Sequence, residues 1–220
     1  MRLNTVIFDM DGLLINSEPL WNEAANEVFA KYNVSLTDQD YRHTTGLRTK
    51  EFIEWWMRHF NITDVDVNKL EQEIFDTVMG KVSAAYIAMP GMQYIFNFFT
   101  SRQFKIGIAS SSPKQLIELV MEIYNLTPSV HHHASAHLLK YAKPHPEVYI
   151  NCAEILGAHP LECICFEDSF AGMIAAKAAR MKCVVVPDRA VYDRPCWGAA
   201  DIVLPSLNDF GEDELQLLIA

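Results

Sequence analysis

Three apolar residues, Val6-Ile7-Phe8, run straight into Asp9-Met10-Asp11-Gly12 near the start of the chain. A run that is apolar on both faces reads as a strand buried inside a sheet covered on both sides. Gly12 lets the backbone turn sharply where that strand ends. The pattern then changes. Asn16-Ser17-Glu18-Pro19 is a helix start with proline in the first turn. Trp21, Ala24, Ala25, Val28 and Phe29 follow at helical spacing. Phe52, Trp55, Trp56 and Phe60 form the apolar stripe of a second helix over Thr49 to His59, a core stripe rather than a cofactor surface. A third helix is expected over Val67 to Ala88. Residues 17–84 therefore read as helical, with no strand.

After Met89-Pro90-Gly91 the period alternates between strand and helix. A helix from Met92 to Arg102 leads to a strand over Phe104 to Ala109, which ends in Ser110-Ser111-Ser112-Pro113. A helix over Lys114 to Tyr124 and a short strand near Ala134-Ser135-Ala136 come next. Lys143-Pro144-His145-Pro146 is read as opening a helix that ends at Gly157. The strand Cys163 to Phe166 runs into Glu167-Asp168-Ser169. An alanine-rich helix, Ala171 to Met181, precedes the last strands, Cys183 to Val186 and Ile202 to Leu204. Strands alternating with helices predict an α/β fold, a Rossmann-like parallel sheet covered on both faces. The core is expected to comprise residues 1–16 and 85–220. An all-helical module, 17–84, is inserted at the carboxyl edge of the first strand, where it is placed to act as a lid or cap.

Composition narrows the function. The 220 residues are half hydrophobic and suffice for one large domain or two small ones. A formal net charge of −10 disfavours nucleic acid and anionic membranes as partners. An anion site must then be made locally, by a metal or a few placed cations. No apolar run reaches the length of a membrane span, and Met1-Arg2-Leu3-Asn4 leads directly into the first strand without a signal-peptide pattern. Cys152, Cys163, Cys165, Cys183 and Cys196 form no C-x-x-C pair and are odd in number, so they read as reduced thiols. A cytoplasmic monomer is expected.

Polar residues collect at the predicted strand ends. Asp9 and Asp11 follow the first strand, and acids at that edge attract a hard divalent cation. Read singly, Asp9-Met10-Asp11-Gly12 could be a polar turn, Ser110 a helix cap and Lys143 a loop lysine. Glu167-Asp168 is more informative, because a second acidic pair at another strand end completes a metal site. Together they make a phosphoryl-transfer centre. Asp9 and Asp168 hold Mg²⁺, and Ser110 and Lys143 hold the phosphoryl group. Asp9 attacks phosphorus, and Asp11 serves as general acid and base.

Four segments in this order resemble the motifs of the haloacid dehalogenase superfamily: Phe8-Asp9-Met10-Asp11-Gly12, Ile108-Ala109-Ser110, Lys143-Pro144 and Phe166-Glu167-Asp168-Ser169. Within it, the strings Asp11 to Trp21 and Glu167 to Met173 are similar to the helical-capped sugar phosphatases and β-phosphoglucomutases, especially the bacterial 2-deoxyglucose-6-phosphate and hexitol phosphatases. The resemblance implies an aspartyl-phosphate intermediate on Asp9. It implies Mg²⁺ on Asp9, the Asp11 carbonyl and Asp168, with Glu167 close by. It gives Gly12, Ser110, Ser111 and Lys143 to phosphoryl binding, and a small phosphorylated metabolite as partner. The loop Thr45-Gly46-Leu47-Arg48-Thr49 is expected to face the substrate, with Arg48 either gripping it or merely solvated.

Other readings are weaker. A dehalogenase has no need of Asp11, and a non-catalytic module would have lost its acids. A sugar phosphomutase is the nearest rival. Its relatives commonly carry histidine at the hinge position that falls at Trp21, and an indole N–H cannot accept a proton there. His131-His132-His133 do not converge on one ion if the chain is extended.

Overall fold

The computed structural model describes residues 2–44, 47–85 and 87–219. Its contacts divide the chain into two units, Met1–Asn16 with Ala88–Ala220, and Ser17–Ile87.

The first unit is built on six parallel strands: β1 (Thr5–Phe8), β2 (Lys105–Ser110), β3 (His132–Ser135), β4 (Cys163–Glu167), β5 (Lys182–Val185) and β6 (Ile202–Val203), in the order β3-β2-β1-β4-β5-β6. The order reverses between β1 and β4, and in such sheets ligands bind beyond the strand ends at that reversal. Strand alternation gives the sheet two different faces. Register pairs Phe8 with Phe166, and these rings meet Phe96, Phe99 and Phe210 at centroid distances of 4.9–6.0 Å. Ile7 and Cys165, also paired, join the opposite cluster with Tyr149, Cys152, Met173 and Ala176. Both faces being covered accounts for the unbroken apolar run of β1.

In chain order, the helices among the described residues are α1 (Glu18–Phe29), α2 (Asp38–His43), α3 (Thr49–His59), α4 (Val67–Ala84), α5 (Met92–Ser101), α6 (Lys114–Ile123), α7 (Glu147–Ile155), α8 (Phe170–Ala178) and α9 (Glu212–Ile219). The last five flank the sheet unit. The first four make the second unit, in which Lys81 of α4 binds Glu23 and Glu27 of α1 at 2.9 and 2.8 Å. Phe52 stacks between Phe29 and Tyr41 in the same unit.

Two expected boundaries move by four residues. The helix read to Ala88 stops at Ala84, because Ala85 is extended and Ala88 bridges Ile15. The helix read from Lys143 starts at Glu147. Pro144 and Pro146 hold the residues before them out of helical conformation, so Lys143 lies on a loop. Helices α2 and α9 were not expected. Among the described residues no helix is long and apolar enough to cross a membrane.

Candidate active site

Asp9 follows β1 directly, and its N–H donates to the carbonyl of Phe166 on β4, 2.9 Å away. This continues the β1–β4 register by one step and sets Asp9 beside Glu167. Both carboxylates are buried, and one cation lies between them. Lys143 Nζ donates to Asp9 Oδ1 at 2.6 Å and to Glu167 Oε1 at 2.7 Å. The carbonyl of Ala109 and the hydroxyl of Tyr149 are its other acceptors, at 3.1 and 3.2 Å. The Tyr149 hydroxyl in turn donates to Glu167 Oε1, and Glu167 Oε2 accepts from the Ser169 hydroxyl at 3.0 Å.

Burial pushes the Asp9 carboxyl up to about 8, opposed by the Lys143 ammonium and assisted by the charges of Glu167 and Asp11. Burial pushes Lys143 down, but Asp9 and Glu167 together outweigh it and raise the ammonium above its ordinary value. Lys143 is therefore a fixed positive charge. Carboxylate oxygens of Asp9, Glu167 and Asp168 lie within 4.8 Å of one another. An all-oxygen donor set at that spacing fits a hard cation such as Mg²⁺.

Gly12 makes room for this set. Its φ is +83°, and a Cβ there would stand 2.1 Å from Asp168 Oδ2. Asp11, half-buried, accepts at Oδ2 from Ser110 Oγ (3.0 Å) and Ser112 Oγ (2.7 Å). Ser110 is thus not a helix cap: Pro113 occupies the cap position of α6. Ser111 is half-buried between the two serines.

The structure therefore gathers Asp9, Asp11, Gly12, Ser110, Ser111, Lys143, Glu167 and Asp168 at adjacent strand ends of one sheet. Arg48 belongs to the helical unit, where it precedes α3 and binds Glu51 Oε1 through NH2 at 2.6 Å. Thr45 and Gly46, in the loop expected to face substrate, lie outside the described residues. Three participants were given no role from the sequence: Tyr149, Ser112 and Ser169. Each is an ordinary helix or loop residue by spacing. The usable signal was Tyr149, since a buried tyrosine hydroxyl needs a partner.

A model of the family described as haloacid dehalogenase-like hydrolase matches residues 6–186. Over 215 residues the chain is 36% identical to hexitol phosphatase B of Escherichia coli strain K12, spanning 97% of each. The crystal structure of CbbY from Rhodobacter sphaeroides in complex with phosphate is similar with a TM-score of 0.89 at 22% identity, covering 97% of this chain and 99% of that one. A β-phosphoglucomutase from Clostridium difficile gives 0.86 at 22% identity, covering 99% and 97%. These two structures share the fold. The family match runs from within β1 to just past β5 and so takes in the strand ends that carry the acids and Lys143; the chain belongs to the haloacid dehalogenase-like hydrolases.

Proposed function

We propose that the protein is a Mg²⁺-dependent phosphatase of small sugar phosphates, hexose or hexitol phosphates, working through an aspartyl phosphate on Asp9. The observation that carries this is the buried Asp9 carboxylate, fixed by Lys143 at 2.6 Å where the strand order reverses. The 36% identity to a hexitol phosphatase supports the substrate class.

Mg²⁺ would be held by the carboxylates of Asp9 and Asp168 and the carbonyl of Asp11, with Glu167 behind them. When bound it supplies positive charge against the phosphoryl oxygens. The remaining work belongs to the chain. Lys143 and the Ser110 hydroxyl hold the phosphoryl group, with Ser111 and Gly12 lining its seat. A carboxylate oxygen of Asp9 attacks phosphorus, and the bond from phosphorus to the sugar oxygen breaks. Asp11 gives its proton to that leaving oxygen. Asp11 then takes a proton from water, which attacks phosphorus and releases inorganic phosphate and the Asp9 carboxylate. Such chemistry rests on positioning and charge neutralisation. Glu167, with both oxygens engaged by Lys143, Tyr149 and Ser169, anchors the lysine and would stand close to the metal. The helical unit serves as a cap, with Arg48 contributing to substrate choice. Trp21 in α1 has no basic atom, which favours phosphate release over mutase chemistry.

A phosphate-release screen over hexose and hexitol phosphates, with Mg²⁺ and with chelator, tests this reading. Asp9→Asn should abolish turnover, because an amide cannot form the acyl phosphate, while melting remains cooperative. Substantial Mg²⁺-supported activity in Asp9→Asn would remove the nucleophile. Conversion of β-glucose 1-phosphate to glucose 6-phosphate faster than phosphate release would replace the phosphatase with a mutase.

A further inference from the structure

Asp11 is held by two serines that differ in what else they have to do. Ser110 Oγ accepts from the Ser112 N–H at 2.9 Å and has one proton to give, which it gives to Asp11 at 3.0 Å. In the phosphatase reading that proton is needed by a phosphoryl oxygen when substrate arrives. Ser110 must then leave Asp11. Ser112 is under no such demand. Its hydroxyl is the nearer donor to Asp11, at 2.7 Å, and the residue is buried. It is also fixed at both backbone atoms. Its N–H is taken by Ser110, and its carbonyl accepts from the Ser135 hydroxyl at 2.6 Å. Ser135 closes β3, and its oxygen accepts from the His137 N–H. A chain of hydrogen bonds thus runs from the end of β3 through Ser112 to Asp11 beyond β1.

We propose that Ser112 is a positioning residue for Asp11: it keeps the Asp11 carboxylate in place while the Ser110 hydroxyl turns to the phosphoryl group. The proposal rests on the phosphatase reading and deepens it. Asp11 must serve two partners from one position, first the leaving oxygen and then water. A shift of the carboxylate between those two steps would spoil both, and because Asp11 is only half-buried, packing alone does not fix it. Once Asp11 has given its proton to the leaving oxygen, the bond from Ser112 is made to a charged acceptor, the stronger kind.

The test is a double-mutant cycle with p-nitrophenyl phosphate and Mg²⁺, in which kcat and KM are measured for Ser112→Ala and Ser112→Thr. Each is made in the natural chain and in Asp11→Asn. The p-nitrophenolate group leaves without a proton, so Asp11→Asn still forms the aspartyl phosphate, and its slow residual kcat, set by unassisted hydrolysis of that intermediate, is read in long incubations. Ser112→Ala should lower kcat about tenfold and leave KM within about twofold, as expected for one charged hydrogen bond. Ser112→Thr, which keeps the hydroxyl, should restore most of kcat. In Asp11→Asn, Ser112→Ala should cost nothing more. An equal loss in both backgrounds, an unchanged kcat, or a rise confined to KM would overturn the proposal. Should Ser112→Ala melt below the assay temperature, Ser112→Cys carries the same comparison. Loss of the proposal alone leaves the natural chain an active phosphatase. An inactive natural chain, on p-nitrophenyl and hexitol phosphates alike, would overturn the phosphatase reading and this proposal with it.

Discussion

Replacing Tyr149 by phenylalanine removes one oxygen from a fully buried position and nothing else. The oxygen has two partners, Glu167 Oε1, to which it donates, and Lys143 Nζ at 3.2 Å, from which it accepts. Burial pushes the Tyr149 hydroxyl well above its ordinary value, so it is a neutral donor throughout the working range. Lys143 carries three protons and faces four acceptors. After the substitution three acceptors remain, Asp9 at 2.6 Å, Glu167 at 2.7 Å and the Ala109 carbonyl at 3.1 Å, so no ammonium proton is orphaned. Glu167 keeps Lys143 on one oxygen and Ser169 on the other. Two hydrogen bonds are lost, but the one accepted from Lys143 is long and its proton keeps other acceptors, so the net cost is that of the bond donated to the charged Glu167, about 1.5–3 kcal/mol. A chain of this size should then melt roughly 3–12 °C lower. Activity should fall only a few-fold, since Lys143 still holds Asp9. Differential scanning fluorimetry and p-nitrophenyl phosphate turnover, on matched samples, measure both. A shift under about 1 °C would mean the hydroxyl does not hold Glu167, and a loss beyond about 5 kcal/mol would mean that Lys143 was left unsatisfied after all.

Chelation should abolish turnover and Mg²⁺ should restore it, with Asp168→Ala needing at least about tenfold more Mg²⁺ for half-maximal rate; turnover that persists in chelator removes the metal from the reaction. Gly12→Ala puts a Cβ 2.1 Å from Asp168 Oδ2 at a φ of +83°, so Asp168 must turn away. Its melting temperature should fall by the equivalent of about 1 kcal/mol, while the Mg²⁺ requirement rises steeply; an unchanged Mg²⁺ requirement would place Asp168 outside the metal site. Burial raises Asp9 from 3.8 to about 8, so in the absence of metal the fold holds this proton more tightly than the unfolded chain does. The sign follows: metal-free protein should lose stability as pH rises from about 4 through about 8, more so than Asp9→Asn does, and Mg²⁺ should recover the loss at pH 8. Parallel pH–melting curves for the two chains would contradict the assignment.

The sequence carried the strand ends well and the contacts between them poorly. An apolar run that stops at an acid is a local signal, and it located Asp9 and the Glu167-Asp168 pair. Ser110 had two local readings, cap or ligand, and spacing could not choose between them. The choice lies in a contact with Asp11, 99 residues away in sequence, made because β2 pairs with β1. The helix start after Lys143 was misplaced by a few residues for a local reason: the two prolines that looked like a helix start in fact postpone it to Glu147. Tyr149 was invisible as a polar participant because its ring belongs to the apolar face of α7 and only its hydroxyl reaches the acids. Arg48 stayed undecided, and the structure gives it a partner within its own unit, Glu51, whose carboxyl it holds below the usual range by hydrogen bonding.

Register explains how two adjacent acids come to different work. Alternation along β4 sends Phe166 to the aromatic face and Glu167 to the face of Cys165, the one covered by α7. Glu167 therefore meets Lys143 and Tyr149, and it is fully buried. Asp168 lies one step further, past the strand, only half-buried and over Gly12. Each carboxylate fills the space of a missing side chain. A Cβ on Gly12 would collide with Asp168, and one on Gly172, in the first turn of α8, would stand 1.8 Å from Glu167 Oε1. Two glycines 160 positions apart thus hold open two seats for two neighbouring acids. One seat is sealed and supplied with an ammonium, a hydroxyl and a serine, and it fixes Lys143 against Asp9. The other stays half-buried beside Asp9, where its carboxylate oxygen, with those of Asp9 and Glu167, makes an oxygen donor set of the kind a hard cation takes.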